Sequence, residues 1–189
     1  MSGLRVRQIK DNLTKLFAEH LQDGDLPKDG EARESALLSR CLAAFAIYQI
    51  ADCTPAEAAA AVWDGGDDNG IDAAYYDASE RQVIVVQSKW IHAGSGEPSA
   101  ADIGTFTNGV RDLVEDQAEN FADRLQDRLS VIASALAQPG TSIHIVVVTT
   151  GASSLAEHGT RHLKKLVKEI NGDDTVDESV ASYETLGLT

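Results

Sequence analysis

The chain has 189 residues, 30 acidic and 16 basic, and its formal net charge at pH 7 is -14. This length suits one domain with a substantial core, and a polyanion of this charge disfavours nonspecific approach to nucleic acid. No apolar run approaches the roughly 20 residues that cross a bilayer, and the N-terminus lacks the apolar segment of a signal peptide. The sequence therefore predicts a single domain over residues 1–189, no membrane partner and a cytoplasmic location.

The first part of the chain, residues 1–62, is predicted to be helical. Apolar residues recur at helical period over residues 4–21, and a second helix is predicted over residues 31–51, where no Gly or Pro interrupts. A third helix is expected after Thr54, because Thr54 and Glu57 have the capping-box spacing and proline follows Thr54 directly.

The remaining elements alternate between strands and helices. Residues 71–76 and 82–89 are predicted to form a hairpin, and Val83-Ile84-Val85-Val86 is apolar on both faces, as in a strand covered by helices on both sides. We then expect one long or two broken helices over residues 101–137, a strand over 143–148, a helix capped by Ser153 and ending near residue 170, and a strand over 180–186. This order predicts an α/β three-layer sandwich with a central mixed sheet of about four to five strands, preceded by a helical segment.

The residues with the clearest chemical meaning lie in the hairpin segment, residues 63–90. A Gly-rich turn over residues 64–70 leads to Asp72, and the second strand ends in Gln87-Ser88-Lys89. Hydrolysis of a phosphodiester uses a metal ion to polarise the phosphate and activate water, and a cation to stabilise the developing charge. Oxygen ligands such as the Asp72 carboxylate suit magnesium. Residues two apart share a strand face, so Gln87 and Lys89 are expected on one face and Ser88 is expected to pack on the other.

The hairpin register determines whether these groups meet. If Asp77 pairs with Gln82, Asp72 lies opposite Gln87, and a shift by two residues would leave it on the same face. A shift by one residue would move it to the wrong face. Because a lysine at the end of an apolar strand is costly to bury alone, Lys89 is expected beside Asp72.

Glu34 is a candidate third acid. It falls on a core-facing helical row with Leu38 and Cys41, so it either belongs to the metal site or favours the positive end of its helix. Glu31 is the alternative for either role.

Two further groups have open interpretations. Lys164, Lys165 and Lys168 belong to a basic cluster that either binds phosphate or forms the solvated face of a helix. Trp63 and Trp90 bracket the hairpin segment and either stack on a base or close the edge of the core, and packing is the preferred interpretation.

Glu34 on a helix, then Gly65-Gly66-Asp67-Asp68-Asn69-Gly70-Ile71-Asp72, then Val85-Val86-Gln87-Ser88-Lys89 resembles the PD-(D/E)XK nuclease superfamily, and in particular its Mrr-like branch. The arrangement also resembles the N-terminal domain of abortive infection phage resistance (AIPR) proteins of bacteria. The resemblance implies a restriction-endonuclease-like fold, DNA as substrate, magnesium or manganese as cofactor, and a role in anti-phage defence.

The resemblance also implies residue roles. Asp72 matches the metal-binding acid, Gln87 the second metal-binding position, and Lys89 the lysine that positions the attacking water and stabilises the transition state. Glu34 matches the helical acid that contacts the metal through water, and Asp68 matches the first acid of the turn.

Two departures favour an alternative to catalysis. Asn69 stands where the pattern has glycine, and the neutral Gln87 makes a weaker metal site than a second carboxylate, although Mrr-like members use Gln there. The alternative is a catalytically weak or inactive nuclease-fold module that binds nucleic acid or protein in a defence complex. With a net charge of -14, cleavage would require a second subunit of a homo-oligomer, a partner protein or a C-terminal region to hold DNA.

Overall fold

The computed structural model describes residues 2–63, 65, 68–151, 154–172 and 179–188. Within these ranges the helices are α1 (Ser2–Phe17), α2 (Gly30–Ile50), α3 (Pro55–Ala60), α4 (Ala100–Val114), α5 (Gln126–Leu136) and α6 (Glu157–Asn171). The strands are β1 (Ala73–Asp77), β2 (Gln82–Lys89), β3 (Ser142–Thr149) and β4 (Ala181–Leu186). Among the helices of these ranges, none is both long enough and apolar enough to cross a membrane.

The four strands form one mixed sheet in the order β1-β2-β3-β4. β1 is antiparallel to β2, whereas β2, β3 and β4 run parallel to one another. Helices α4 and α5 connect β2 to β3, and α6 connects β3 to β4. The hairpin thus supplies the antiparallel pair and the helical crossovers supply the parallel pairs, as predicted.

Apolar side chains fill both faces of this sheet. Ile84 and Val86 of β2 pack in a core cluster with residues of α1, α2 and α3, whereas Val83 and Val85 pack in a second cluster with residues of α4, α5 and α6. Successive side chains of a strand point to opposite faces, so a strand that is apolar throughout must be covered twice. The predicted three-layer α/β sandwich is confirmed.

Several predicted boundaries differ from the structure. β1 begins at Ala73 rather than at residue 71, because the Ile71 N–H donates to the Asp68 carbonyl at 3.1 Å in a turn. The helical region after β2 is two helices separated by two 3₁₀ turns, Ala118–Asn120 and Asp123–Leu125. Ser153, predicted to cap the helix after β3, lies outside the described residues.

The turn before Asp72 packs directly on α4. Gly70 has a φ of 76° and Asn69 a φ of 55°, both in the left-handed region. A Cβ on Gly109 of α4 would lie 2.0 Å from the Asn69 carbonyl oxygen, so the backbone of the turn occupies the space that any side chain at residue 109 would need. Asn69 Nδ2 also donates to Asp112 Oδ2 at 2.8 Å. These contacts position the segment that carries Asp72.

Candidate functional site

The hairpin register brings Asp72 to the C-terminal end of β2. Asp77 pairs with Gln82 and Ala73 pairs with Val86, which is the predicted register. Directly before Ala73, the Asp72 N–H donates to the Val86 carbonyl at 2.9 Å. The predicted juxtaposition of the two strand ends is therefore confirmed.

The Asp72 carboxylate is held by Ser88. Oδ2 of Asp72 accepts hydrogen bonds from the Ser88 N–H at 2.6 Å and from the Ser88 hydroxyl at 3.0 Å. β1 begins only at Ala73, so no backbone carbonyl of β1 accepts from the Ser88 N–H. The Asp72 carboxylate accepts that hydrogen bond instead. The Ser88 hydroxyl also lies 3.0 Å from the Ser39 carbonyl of α2. Ser88 is buried as predicted, but it is also a hydrogen-bonding partner of Asp72, which its place on the strand did not predict.

Gln87 has a buried oxygen without a hydrogen-bond partner. The side chain is 9% exposed, and its Nε2 donates to the Asp102 carbonyl of α4 at 3.1 Å. Because that carbonyl can only accept, it determines which end of the side-chain amide carries the nitrogen. The opposite atom, Oε1, has no partner in the described part of the chain. Gln87 therefore offers a buried neutral oxygen that can act as a ligand.

Lys89 pairs with Asp102, so the prediction that it pairs with Asp72 is wrong. Its Nζ lies 3.5 Å from Asp102 Oδ2, and its side chain is 51% exposed. The Asp102 carboxylate also accepts from the Ser99 N–H at 3.3 Å in the capping box that begins α4. The Ser99-to-Asp102 spacing is visible in the sequence as a helix start, but it does not specify a contact with Lys89.

Glu34 is engaged by α1 rather than by the end of β2. It forms an ion pair with Lys10, and this hydrogen bond, together with the charge of Lys10, lowers the pKa of the Glu34 carboxyl. The charge of His92, which follows β2, lowers the pKa of Glu34 further. Nε2 of His92 lies 2.7 Å from the Ser35 hydroxyl. Glu31, the alternative acid, is exposed in the first turn of α2.

Asp68 organises the turn. Its Oδ2 accepts from the Gly65 N–H at 3.1 Å and its Oδ1 accepts from the Gly70 N–H at 2.9 Å. Such bonds from a short acidic side chain to nearby backbone stabilise a turn. Asp64, Gly66 and Asp67 of the same turn lie outside the described residues.

The predicted acids do not form a cluster. Within the described ranges, no group of three or more His, Cys, Asp or Glu side chains could hold a metal ion. The Asp72 carboxylate and the Gln87 side chain both lie at the end of β2, but they contact different helices. The carboxylate bonds to Ser88, whose hydroxyl donates to α2, whereas the Gln87 amide donates to α4. A cation at this position would complete its coordination with water, as magnesium commonly does.

The lysines of α6 lie apart from this position. Lys164, Lys165 and Lys168 are all exposed, and Lys165 pairs with Glu169 at 3.6 Å. α6 ends at Asn171, which hydrogen bonds to Ala181 at the start of β4, whereas Lys89 is at the end of β2. Because β2 and β4 are parallel, the last turns of α6 lie at the opposite end of the strands from Asp72.

Both tryptophans belong to the core. Trp63 is 2% exposed and Trp90 is 6% exposed, so neither presents a face on which a base could stack. The packing interpretation is confirmed. Trp63 also helps to position the backbone of Asp72, because the backbone N–H of Trp63 donates to the Asp72 carbonyl at 2.7 Å.

The end of β2 thus carries the Asp72 carboxylate, the Gln87 side-chain amide and the exposed Lys89 ammonium group, which pairs with Asp102. No family model, curated protein or solved structure matches this chain. The resemblance to PD-(D/E)XK nucleases therefore stays a prediction from the motif residues.

Proposed function

We propose that this chain is a metal-dependent endonuclease domain of PD-(D/E)XK type that hydrolyses phosphodiester bonds of DNA in bacterial anti-phage defence. The unpartnered Oε1 of buried Gln87 carries the proposal. An unsatisfied buried acceptor costs about 1–3 kcal/mol, so such an atom at a strand end beside candidate catalytic groups is best explained by a ligand. A divalent cation fits, because carbonyl and carboxylate oxygens are its preferred donors.

Each residue at the strand end has a role in this proposal. Asp72 and Gln87 would hold magnesium or manganese, which when bound polarises the phosphate and lowers the pKa of a water molecule. Ser88 orients the Asp72 carboxylate through two hydrogen bonds. Lys89 keeps its ammonium group at the surface, where it can orient the attacking water and stabilise charge on the phosphate. Asp102 acts as a positioning residue, because it contacts Lys89 and holds the amide nitrogen of Gln87.

Glu34 would assist only after a change of partner. The lowered pKa keeps its carboxyl anionic, but Lys10 occupies it. A water molecule or second cation at the end of β2 would have to compete with this ion pair.

The second candidate function is a nuclease-fold module that binds nucleic acid or protein with little or no chemistry. The Lys10–Glu34 ion pair favours it, because Glu34 is then engaged elsewhere and Asp72 is the remaining proposed acidic ligand at the end of β2. The net charge of -14 also favours it unless another subunit, a partner protein or a C-terminal region supplies the DNA contacts.

Nicking of supercoiled plasmid separates the two functions. The endonuclease proposal expects conversion to open circles with magnesium or manganese and none with excess chelator. Addition of any purified partner tests whether a separate DNA-binding surface is needed. Absence of nicking with either metal, with and without the partner, would favour the binding module.

Metal binding can be tested without cleavage through Gln87→Met. Methionine has a similar shape but neither the oxygen nor the nitrogen that donates to Asp102. Relief of the unpartnered oxygen and loss of that hydrogen bond oppose each other, so without metal the variant is expected to stay within about 1 kcal/mol of wild type. The stabilisation that manganese gives the wild-type protein is expected to be lost in the variant. Thermal unfolding with manganese and with chelator measures both effects.

The matched control for this test is Gln82→Met at the opposite end of β2. Gln82 is partly exposed and its Nε2 lies 3.5 Å from the Ser142 hydroxyl, so this variant should respond to manganese as the wild type does. A full manganese response in Gln87→Met would remove Gln87 from the metal site.

A further inference from the structure

The strands β3 and β4 carry a histidine, a serine and a glutamate that are joined by hydrogen bonds. His144 of β3 and Ser182 of β4 are register partners, and Glu184 follows Ser182 by two residues on the same strand face. Nδ1 of His144 lies 2.7 Å from the Ser182 hydroxyl, and Nε2 of His144 lies 2.9 Å from Glu184 Oε1. Both ring nitrogens of His144 are therefore engaged by side chains of the neighbouring strand.

The two partners of His144 determine where the protons of this group lie. A carboxylate can only accept a hydrogen bond, so in the neutral ring Nε2 carries the proton and donates to Glu184. Nδ1 is then the acceptor, and the Ser182 hydroxyl donates to it. This is the order of nucleophile, general base and orienting acid in acyl-transfer sites. The two ring nitrogens are exchanged relative to the serine proteases, which leaves the path of the proton unchanged.

The serine hydroxyl is the accessible member of this group. Ser182 is exposed, whereas the side chain of His144 is 17% exposed and that of Glu184 is 38% exposed. β4 is the last strand of the described sheet, so its side away from β3 has no partner strand there. A reagent can therefore approach the hydroxyl while the imidazole is largely shielded from bulk water.

The open edge of β4 supplies a backbone donor next to Ser182. The N–H and the carbonyl of Ala181 both bond to the Asn171 side chain, so they point away from β3. Backbone groups of successive residues alternate between the two edges of a strand, so the Tyr183 N–H points to the same open edge. Serine hydrolases commonly use the N–H of the residue after the nucleophile to stabilise the oxyanion, and Tyr183 occupies that position.

We propose that Ser182, His144 and Glu184 form a second reactive site, which takes acyl groups from activated esters. Ser182 Oγ attacks the ester carbonyl carbon while its proton passes to His144 Nδ1. The bond from that carbon to the alcohol oxygen breaks, and His144 returns the proton to the departing alcohol. A water molecule then attacks the acyl-serine, again with His144 as the base, and releases the carboxylic acid and the free hydroxyl.

The other two groups of the site set the class of ester. Glu184 is a positioning residue, because it holds the ring of His144 in the tautomer that accepts from Ser182. The Tyr183 N–H is one donor to the oxyanion, and each such donor contributes about 10²–10³ in rate. Because one donor stabilises less charge than two, the expected substrates are aryl esters, whose leaving groups depart readily.

This site is separate from the proposed metal site. His144 pairs with Ile84 near the start of β2, whereas Gln87 pairs with Val147 towards the end of β3. The acyl transfer uses no metal ion, so it does not depend on the proposed endonuclease function. Cross-strand polar pairs also stabilise sheets, so the test must measure the reactivity of Ser182 and not only the stability of the protein.

The first test is covalent labelling of the full chain with a fluorophosphonate in the presence of chelator. The attacking hydroxyl displaces fluoride and keeps the phosphonyl group, so peptide mass spectrometry locates the modified serine. The adduct is expected on Ser182 and not on Ser130, which is exposed on α5. His144→Gln is expected to slow the labelling at least about 100-fold, because general-base catalysis contributes about 10²–10⁴ in rate.

Hydrolysis of para-nitrophenyl acetate tests turnover. The wild-type protein is expected to hydrolyse the ester at least about tenfold faster than Ser182→Ala. Glu184→Gln, which removes the carboxylate charge, is expected to slow both labelling and hydrolysis at least about tenfold while circular dichroism stays unchanged. His158→Gln is the matched control, because it removes an exposed imidazole of α6 and should leave both rates unchanged.

The outcomes separate a reactive site from a structural pair. Labelling of Ser182 that His144→Gln slows, together with ester hydrolysis that Ser182→Ala removes, supports the proposal. Ser182→Ala changes only an exposed hydroxyl, so an unchanged unfolding temperature would show that its loss of activity is not a folding effect. The proposal is overturned if wild-type Ser182 acquires no phosphonyl group, or if His144→Gln is labelled as fast as wild type.

Discussion

Asp72→Asn is expected to reduce metal-dependent nicking at least about 100-fold while the protein stays folded. The substitution removes the negative charge that would hold the cation, but the asparagine side-chain oxygen can still accept from the Ser88 N–H, where Oδ2 of Asp72 now lies at 2.6 Å. Rates of plasmid nicking with saturating magnesium measure the loss, and thermal unfolding with chelator measures the fold. Asp72→Asn therefore tests the charge of Asp72 while keeping the hydrogen bond to Ser88. Asp72→Ala would remove both at once.

Asp127→Asn is the matched control for the change of charge. Asp127 is exposed in the first turn of α5, so its neutralisation alters the net charge by the same amount without touching the end of β2. Equal activity of Asp72→Asn and Asp127→Asn would show that Asp72 serves only to pair the Ser88 backbone.

Gly109→Ala is expected to lower the free energy of unfolding by at least about 3 kcal/mol. The new Cβ would lie 2.0 Å from the Asn69 carbonyl oxygen, and both atoms belong to backbone-fixed positions that cannot rotate away. Either α4 or the turn over residues 68–70 must move. Either movement displaces the segment that leads to Asp72. Urea denaturation followed by circular dichroism measures the change in stability.

Gly104→Ala in the same helix is the control for this prediction. There the nearest atom to a new Cβ is His162 Cε1 at 3.8 Å, an ordinary contact. Alanine favours helix over glycine by about 0.5–1 kcal/mol, so this variant should be as stable as wild type or slightly more stable. If the two substitutions had the same effect, the close approach of the turn to α4 would be contradicted.

From the amino-acid sequence alone, the strands and their succession along the chain are predicted, and the hairpin register is restricted to pairings that keep Asp72 on one face with Gln87. Val83-Ile84-Val85-Val86 is apolar at every position, and only a strand covered on both faces buries all four side chains. A slip of one residue is excluded, because it would turn the apolar side chains of β1 away from the core. A shift by two residues is not excluded by this argument, and the pairing of Asp77 with Gln82 is known from the structure. Local chemistry also located the capping box at Thr54.

The partner of each functional side chain depends on tertiary packing. Lys89 contacts Asp102 of α4, Glu34 contacts Lys10 of α1, and Asp72 contacts Ser88 of β2. The predictions that treated these groups as one cluster missed these partners. The physical reason is that the period of an element specifies the face of a side chain, whereas the partner of a long charged side chain depends on how neighbouring elements pack.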